Sequence, residues 1–226
     1  MDEMQIKAHI PNFLTLCNLA CGTTAIILSD IFWSPILILV AGVFDLFDGA
    51  AARVLNVSSP LGKELDSLCD MVSFGLAPAL LYWLLVPNAA YCWYVIPVLL
   101  TGAAAWRLAT FNTLPPSTHF IGLATPASAM ALVGITLGVY WGNAIILSII
   151  ESPIGYALVA VFFAWSMNRN RVMLSLKGVG DKEDRPWLIA IGIGVGLLLA
   201  WDYTLALPFG IFWYCVVCEI RAFYKR

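Results

Sequence analysis

Eight apolar stretches, separated by short polar breaks, take up almost the whole of this 226-residue chain. They run over residues 13–28, 32–55, 65–86, 91–111, 125–141, 153–167, 186–201 and 205–223. A helix needs roughly 20 mostly apolar residues to cross the hydrocarbon core of a bilayer. With 61% hydrophobic and 12% charged residues, the chain lacks the polar surface that covers a water-soluble globule, where charge is usually about 25%. The expected fold is all-α: a polytopic transmembrane bundle of eight spans, forming one membrane domain over residues 1–226. Segment 143–150 is itself apolar, and Glu151-Ser152-Pro153 is read as the break before the sixth span.

The cations give the bundle a direction. Lys7 precedes the first span, Arg53 and Lys63 flank the loop between the second and third, and Arg107 lies near the end of the fourth. Arg169, Arg171, Lys177, Lys182 and Arg185 fill the loop between the sixth and seventh, and Arg221, Lys225 and Arg226 close the chain. The alternate turns, at Asp30, 87–90, 142–152 and Asp202, hold no Lys or Arg. Eight spans with both termini in the cytoplasm satisfy the positive-inside rule at every loop. The expected location is the cell (inner) membrane, with membrane lipids around the bundle. A net charge of −2 gives no sign of nucleic-acid binding.

The six cysteines lie in or beside apolar runs. Cys215 and Cys218 form a C-x2-C with no second pair or His nearby, so they read as small apolar residues, and no disulfide is assigned. Residues 1–9 are short and mixed in charge, and no removable signal peptide is expected. His119 reads as an exposed loop residue rather than a ligand.

Chemistry concentrates at one place. Asp45, Asp48, Asp66 and Asp70 lie in or beside two adjacent spans. A charge within the bilayer costs at least about 2.5–3.5 kcal/mol. Asp45 and Asp48 are spaced i, i+3, and Asp66 and Asp70 i, i+4, so each pair shares a helix face. The turn Asn56-Val57-Ser58-Ser59-Pro60 lets the two faces meet. Arg53 and Lys63 alone cannot neutralise four facing carboxylates. A donor set of oxygens without His or Cys favours a hard divalent ion: Mg²⁺ or Mn²⁺, with Ca²⁺ also suited. Gly49 and Gly62 leave room beside the acidic group for a ligand to approach, and Arg53 can grip a phosphate in fork geometry.

Asp45-x2-Asp48-Gly49-x2-Ala52-Arg53-x8-Gly62-x3-Asp66-x3-Asp70 resembles, position for position, the signature of the CDP-alcohol phosphotransferases. The resemblance implies a six-helix core, here followed by two C-terminal helices, and a homodimer. It implies that a hydroxyl attacks the β-phosphate of a CDP-linked lipid and CMP leaves. It makes Asp45, Asp48 and Asp66 metal ligands and Asp70 both ligand and general base, with Gly49, Arg53 and Ser59 touching the CDP moiety. Two cations per site would neutralise the diphosphate and the charge growing on the leaving oxygen. Gly62 and, from the first span, Asn12, Thr15 and Asn18 are further candidates for holding the CDP-lipid, the last three at the cytidine edge.

Other segments narrow the acceptor. Residues 10–22, 107–112, 120–127 and 173–177 resemble the phosphatidylserine synthases of the multi-span type, although Ala124 stands where those enzymes commonly have proline. This implies CDP-diacylglycerol, or an archaeal CDP-lipid, as donor and L-serine as acceptor. Arg107 can hold the serine carboxylate and Asn112 the amine; Arg169 and Arg171 are further candidates for the carboxylate. Snorkelling is the competing reading for Arg107, and helix capping for Asn12 and Asn112. Glycerol 3-phosphate or inositol phosphate would call for a denser basic pocket than Arg107 offers. A divalent-cation transporter would need acidic groups in the outer halves of the spans as well, whereas these carboxylates cluster at one depth.

Overall fold

Helices follow the apolar stretches, and what ends them is polar and local. The computed structural model describes residues 3–57, 59–86, 91–113, 120–174 and 184–224, without the side chains of residues 3–8, 91, 92 and 120. Segment 87–90, Ser58, His119, Lys177, Lys182, Lys225 and Arg226 from the sequence reading lie outside these residues, as do the side chains of Lys7 and Cys92. The chain forms α1 (Glu3–Leu28), α2 (Trp33–Val54), α3 (Pro60–Trp83), α4 (Val95–Thr113), α5 (Thr125–Tyr140), α6 (Ala144–Ile150), α7 (Pro153–Asn168), α8 (Arg185–Trp201) and α9 (Tyr203–Tyr224). Two short strands, β1 (Phe120–Ile121) and β2 (Val172–Met173), pair antiparallel with Phe120 opposite Met173.

Among the described residues, five helices are long and apolar enough to cross a membrane: His9–Leu28 within α1, α2, α3, α4 and α9. Helices α5 and α6 pass the same test together across a bend of 110°, as a broken span or a re-entrant element, while α7 and α8 are apolar but shorter. The protein is an integral membrane protein with a polytopic helical fold. Break 142–152, read as a turn, contains α6. Asn143 starts this helix by accepting from the amides of Ile145 and Ile146, as an N-cap does for the unpaired donors of a first turn.

Packing sorts the helices. Helix α1 lies along α2 and α3, α4 on α7, and α9 on both α8 and α5. One buried cluster joins Ile38, Ala41, Phe74, Leu81 and Val133. The other centres on Tyr82 and Tyr156. Their rings stack at 4.5 Å, and each hydroxyl donates to the other residue's carbonyl, at 2.8 and 3.2 Å. Buried tyrosines need such partners, because an unpaired hydroxyl in an apolar core is costly. Phe13, Trp33, Trp106, Ile154, Trp201 and Phe223 point outward, and α8 buries none of its residues within the chain. These outward apolar side chains match hydrocarbon rather than water.

Cross-contacts identify one end of the bundle. The start of α3 meets the end of α4 where Asn112 donates to Ser67 at 2.8 Å. Arg107 near the end of α4 reaches Thr125 at the start of α5, and β1 before α5 pairs with β2 after α7. The opposite end holds Asn143, Asp202 and Thr204, whose side chains bond at 2.7–2.8 Å.

Candidate active site and metal centre

The acidic site is built by three helices and the turn between α2 and α3. Ser59 caps α3, accepting from the Gly62 amide at 2.9 Å with Pro60 at the first helical position. This starts α3 earlier than residue 65, the first residue of the apolar stretch. Before it, Asn56 takes a left-handed conformation, φ 52°, which asparagine tolerates better than most residues. The turn brings Asp66 and Asp70 on α3 against Asp45 and Asp48 near the end of α2.

Asp45, Asp48 and Asp66 each present a carboxylate oxygen, and these oxygens all lie within 4.8 Å of one another. Asp70 adjoins the group, its carboxyl next to that of Asp45. Asp48 and Asp70 are buried, at 6% and 9% exposure. Among the described residues neither Arg53 nor Lys63 pairs with any of the four. Arg53 instead donates from Nε to the Gly49 carbonyl at 3.0 Å, one turn back along α2. Like-charged carboxylates gathered in a membrane helix bundle, without a cation from the chain among them, fit a hard divalent cation held by oxygens.

Helix α1 supplies the other wall. Thr15 donates to Asp48 Oδ2 at 2.6 Å, and Asn18 donates from Nδ2 to Asp70 Oδ1 at 3.2 Å. A cavity of about 570 Å³ opens beside the carboxylates, lined among others by Asn12, Thr15, Asp48, Gly49, Arg53 and Asp66. Gly49 faces open space there, so nothing in the protein competes with a ligand at that backbone. Gly62 has a different reason to be glycine: a Cβ would press on Ser59 Oγ at 3.1 Å and Asn12 Oδ1 at 3.2 Å. Asn12 lies inside α1 and lines the cavity, so it is not a helix cap. Ser59 and Gly62 line the cavity too, whereas Asn18, Asp45 and Asp70 do not.

The candidates for the acceptor separate. Arg107 is buried at 9% exposure rather than snorkelling. Its Nη1 donates to Thr125 Oγ1 at 3.0 Å while its Nε finds no protein partner. It belongs to the surroundings of Asp70, whose charge acts on it. Asn112 is tied to Ser67. Arg169 and Arg171 line a different cavity, about 270 Å³, between α7 and α9. There Arg169 pairs with Glu219 at 2.9 Å and lies 4.1 Å above the Trp165 ring, and no aspartate of the cluster lines that cavity. Ser73 and Thr125 also matter to the site. Ser73 was readable as the residue three after Asp70 and so on its face; Thr125 had no signal beyond starting a helix.

Residues 8–175 match the CDP-alcohol phosphatidyltransferase family model. The chain belongs to this family. It is similar to a CDP-diacylglycerol–serine O-phosphatidyltransferase of Bacillus subtilis, 34% identical over 160 residues that cover 67% of this chain and 87% of that protein. An enzyme of the same name from Methanocaldococcus jannaschii is 41% identical over 126 residues, 55% of this chain and 59% of its own. An archaetidylserine synthase of Methanothermobacter thermautotrophicus is 32% identical over 141 residues, 58% and 60% of the two chains. The family match takes in the four aspartates, the cavity and Arg107, and ends before α8 and α9.

Proposed function

We propose that this chain transfers a phosphatidyl-type group from a CDP-linked lipid to the hydroxyl of L-serine, releasing CMP. The observation that carries the reading is the convergence of Asp45, Asp48 and Asp66 within 4.8 Å, beside a cavity that Arg53 and Gly49 line. Asp45, Asp48, Asp66 and Asp70 hold Mg²⁺ or Mn²⁺, two ions per site. When bound, such ions supply Lewis-acid neutralisation of a diphosphate and of the departing oxygen.

The protein's own groups do the rest. The CDP moiety lies in the cavity against Gly49, with Asn12, Thr15, Ser59 and Gly62 around it and the Arg53 guanidinium on phosphate. Asp70, buried beside Asp45 behind the cavity lining, takes the proton from the serine hydroxyl as its oxygen attacks the β-phosphorus, and the bond from phosphorus to the CMP oxygen breaks. A positioned base of this kind typically contributes 10²–10⁴ in rate. Arg107, buried near Asp70 with Nε unpaired, holds the serine carboxylate, and the same burial keeps competing water from it. The positions of Arg169, facing Glu219 and Trp165, and of Arg171 on the same cavity favour Arg107 over either.

Architecture follows the same reading. The chain is one membrane domain of eight spans, with α5 and α6 as a broken fifth, both termini and the aspartates on the cytoplasmic side of the cell membrane, and apolar α8 and α9 added to a six-helix core. The outward face of α8, unburied within the chain, meets lipid or a second copy in a homodimer. The lipid donor is CDP-diacylglycerol or its archaeal ether counterpart.

The test is CMP release by purified protein with each CDP-lipid and Mn²⁺, across serine, glycerol 3-phosphate, inositol phosphate and ethanolamine. Serine alone should raise release strongly. Glycerol 3-phosphate as the best acceptor would overturn the choice of serine and leave the reaction class standing.

A further inference from the structure

Asn18 stands apart from the other α1 residues read as contacts for the CDP moiety. It is fully buried, at 0% exposure, and does not line the cavity where Asn12 and Thr15 lie. Its side chain is turned to Asp70, and its Nδ2 donates to Asp70 Oδ1 at 3.2 Å. That leaves Asn18 Oδ1 buried without a protein partner. An unpaired buried acceptor costs about 1–3 kcal/mol, so stability alone does not explain an asparagine here.

The backbone around this contact is shaped to hold it. Directly after Asp70, α3 widens into a π-helical segment, Met71–Leu76. Such segments are rare and recur at functional sites. Within it Ser73 donates to the Asn18 carbonyl at 3.0 Å. One turn further along α1, Gly22 lets the helices touch: a Cβ there would run into Ser73 Oγ and the Ser73 backbone. The pair Asp70 and Ser73 thus grips the Asn18–Gly22 face of α1 by one side-chain bond, one bond to backbone and one close approach.

We infer that Asn18 is a positioning residue for Asp70, with the π-helical segment and Ser73 fixing its register, rather than a contact for cytidine. The inference rests on Asp70 being the base. Holding Oδ1 of Asp70 fixes the direction in which its carboxyl group faces the rest of the cluster. Partners of this kind, one step behind a ligand or base, typically contribute 10–100-fold in activity or metal affinity.

The test is Asn18→Leu, close in volume and unable to donate, alongside Ser73→Ala and Asp70→Asn. For each, kcat and KM for CDP-lipid and serine are measured at saturating Mn²⁺, with Mn²⁺ affinity by calorimetry and Tm. Asn18→Leu should lower kcat by about 10–100-fold, with the KM for CDP-lipid within about twofold and Tm unchanged or raised. Ser73→Ala should lower kcat in the same pattern by a smaller factor. Should Asn18→Leu fail to fold, Ser73→Ala decides, and an unchanged kcat there overturns the inference. A raised CDP-lipid KM with kcat intact in Asn18→Leu would restore the cytidine contact and overturn it as well. Asp70→Asn separates the two levels. Near-normal turnover in that variant overturns the base role, whereas a dead Asp70→Asn with a normal Asn18→Leu overturns the positioning role alone.

Discussion

Two charged regions sit at the same end of the bundle and are built on opposite plans. Between α7, α8 and α9, Arg169 meets Glu219 and Arg221 grips both oxygens of Asp184 at 2.6 and 2.8 Å. Both of these arginines have a carboxylate partner. Between α1, α2 and α3, four carboxylates share one site without a salt bridge among the described residues, and Arg53 on α2 is bonded to its own helix instead. Paired charges satisfy one another and can be tolerated in apolar surroundings. Unpaired charges of one sign remain only where something outside the chain completes them. The first arrangement ties helices together; the second is a binding site.

Substitutions can break that contrast. Asp45→Asn takes charge from the cage itself and should lower Mn²⁺ and CDP-lipid affinity together, with turnover down by more than about 10²-fold, beyond the range of an outer-shell change; calorimetry and CMP release measure both. Asp70→Asn keeps the size of the side chain and one oxygen but removes the proton acceptor. Turnover should fall by about 10²–10⁴ while CDP-lipid still binds at saturating Mn²⁺. Arg107→Ala should raise the KM for serine by about 10-fold or more, the worth of one charge-assisted hydrogen bond, and leave the KM for CDP-lipid in place. In the paired region, Arg221→Ala removes a partner of Asp184 at side-chain exposures of 11% and 14%. It should lower stability by about 1–3 kcal/mol, less than for a fully buried pair, with kcat per folded molecule unchanged. A loss of turnover there with Tm intact would mean that the C-terminal cluster takes part in the reaction.

Much of this was legible in the sequence, because the strongest signals were local. Apolar length located the helices, and the i, i+3 and i, i+4 spacing of the aspartates placed each pair on one face. What escaped was tertiary. Segment 143–150 is apolar enough to read as either turn or helix, and only its contacts with α5 and α7 and the cap at Asn143 give it an axis 110° from α5. The π-helical segment after Asp70 has no composition of its own; it coincides with the contacts of Ser73 with Asn18 and Gly22, where α3 meets α1. Asn18 lies on the face of α1 that Thr15 shares, three residues apart, yet Thr15 reaches the cavity and Asn18 the base. Spacing assigns a face, not a depth. Likewise Arg169 and Arg171, candidates by charge, line a cavity with residues of α9, while Asn168 just before them bonds α4 at the Ala103 carbonyl.

The central claim is that the unpaired aspartates work by holding divalent cations. Its most direct test is serine-dependent CMP release by the purified protein in excess EDTA, before and after Mn²⁺ or Mg²⁺ is restored. Release should vanish in chelator and return with either ion, while Tm shows that the chelated protein stays folded. Full activity in excess chelator would contradict the claim.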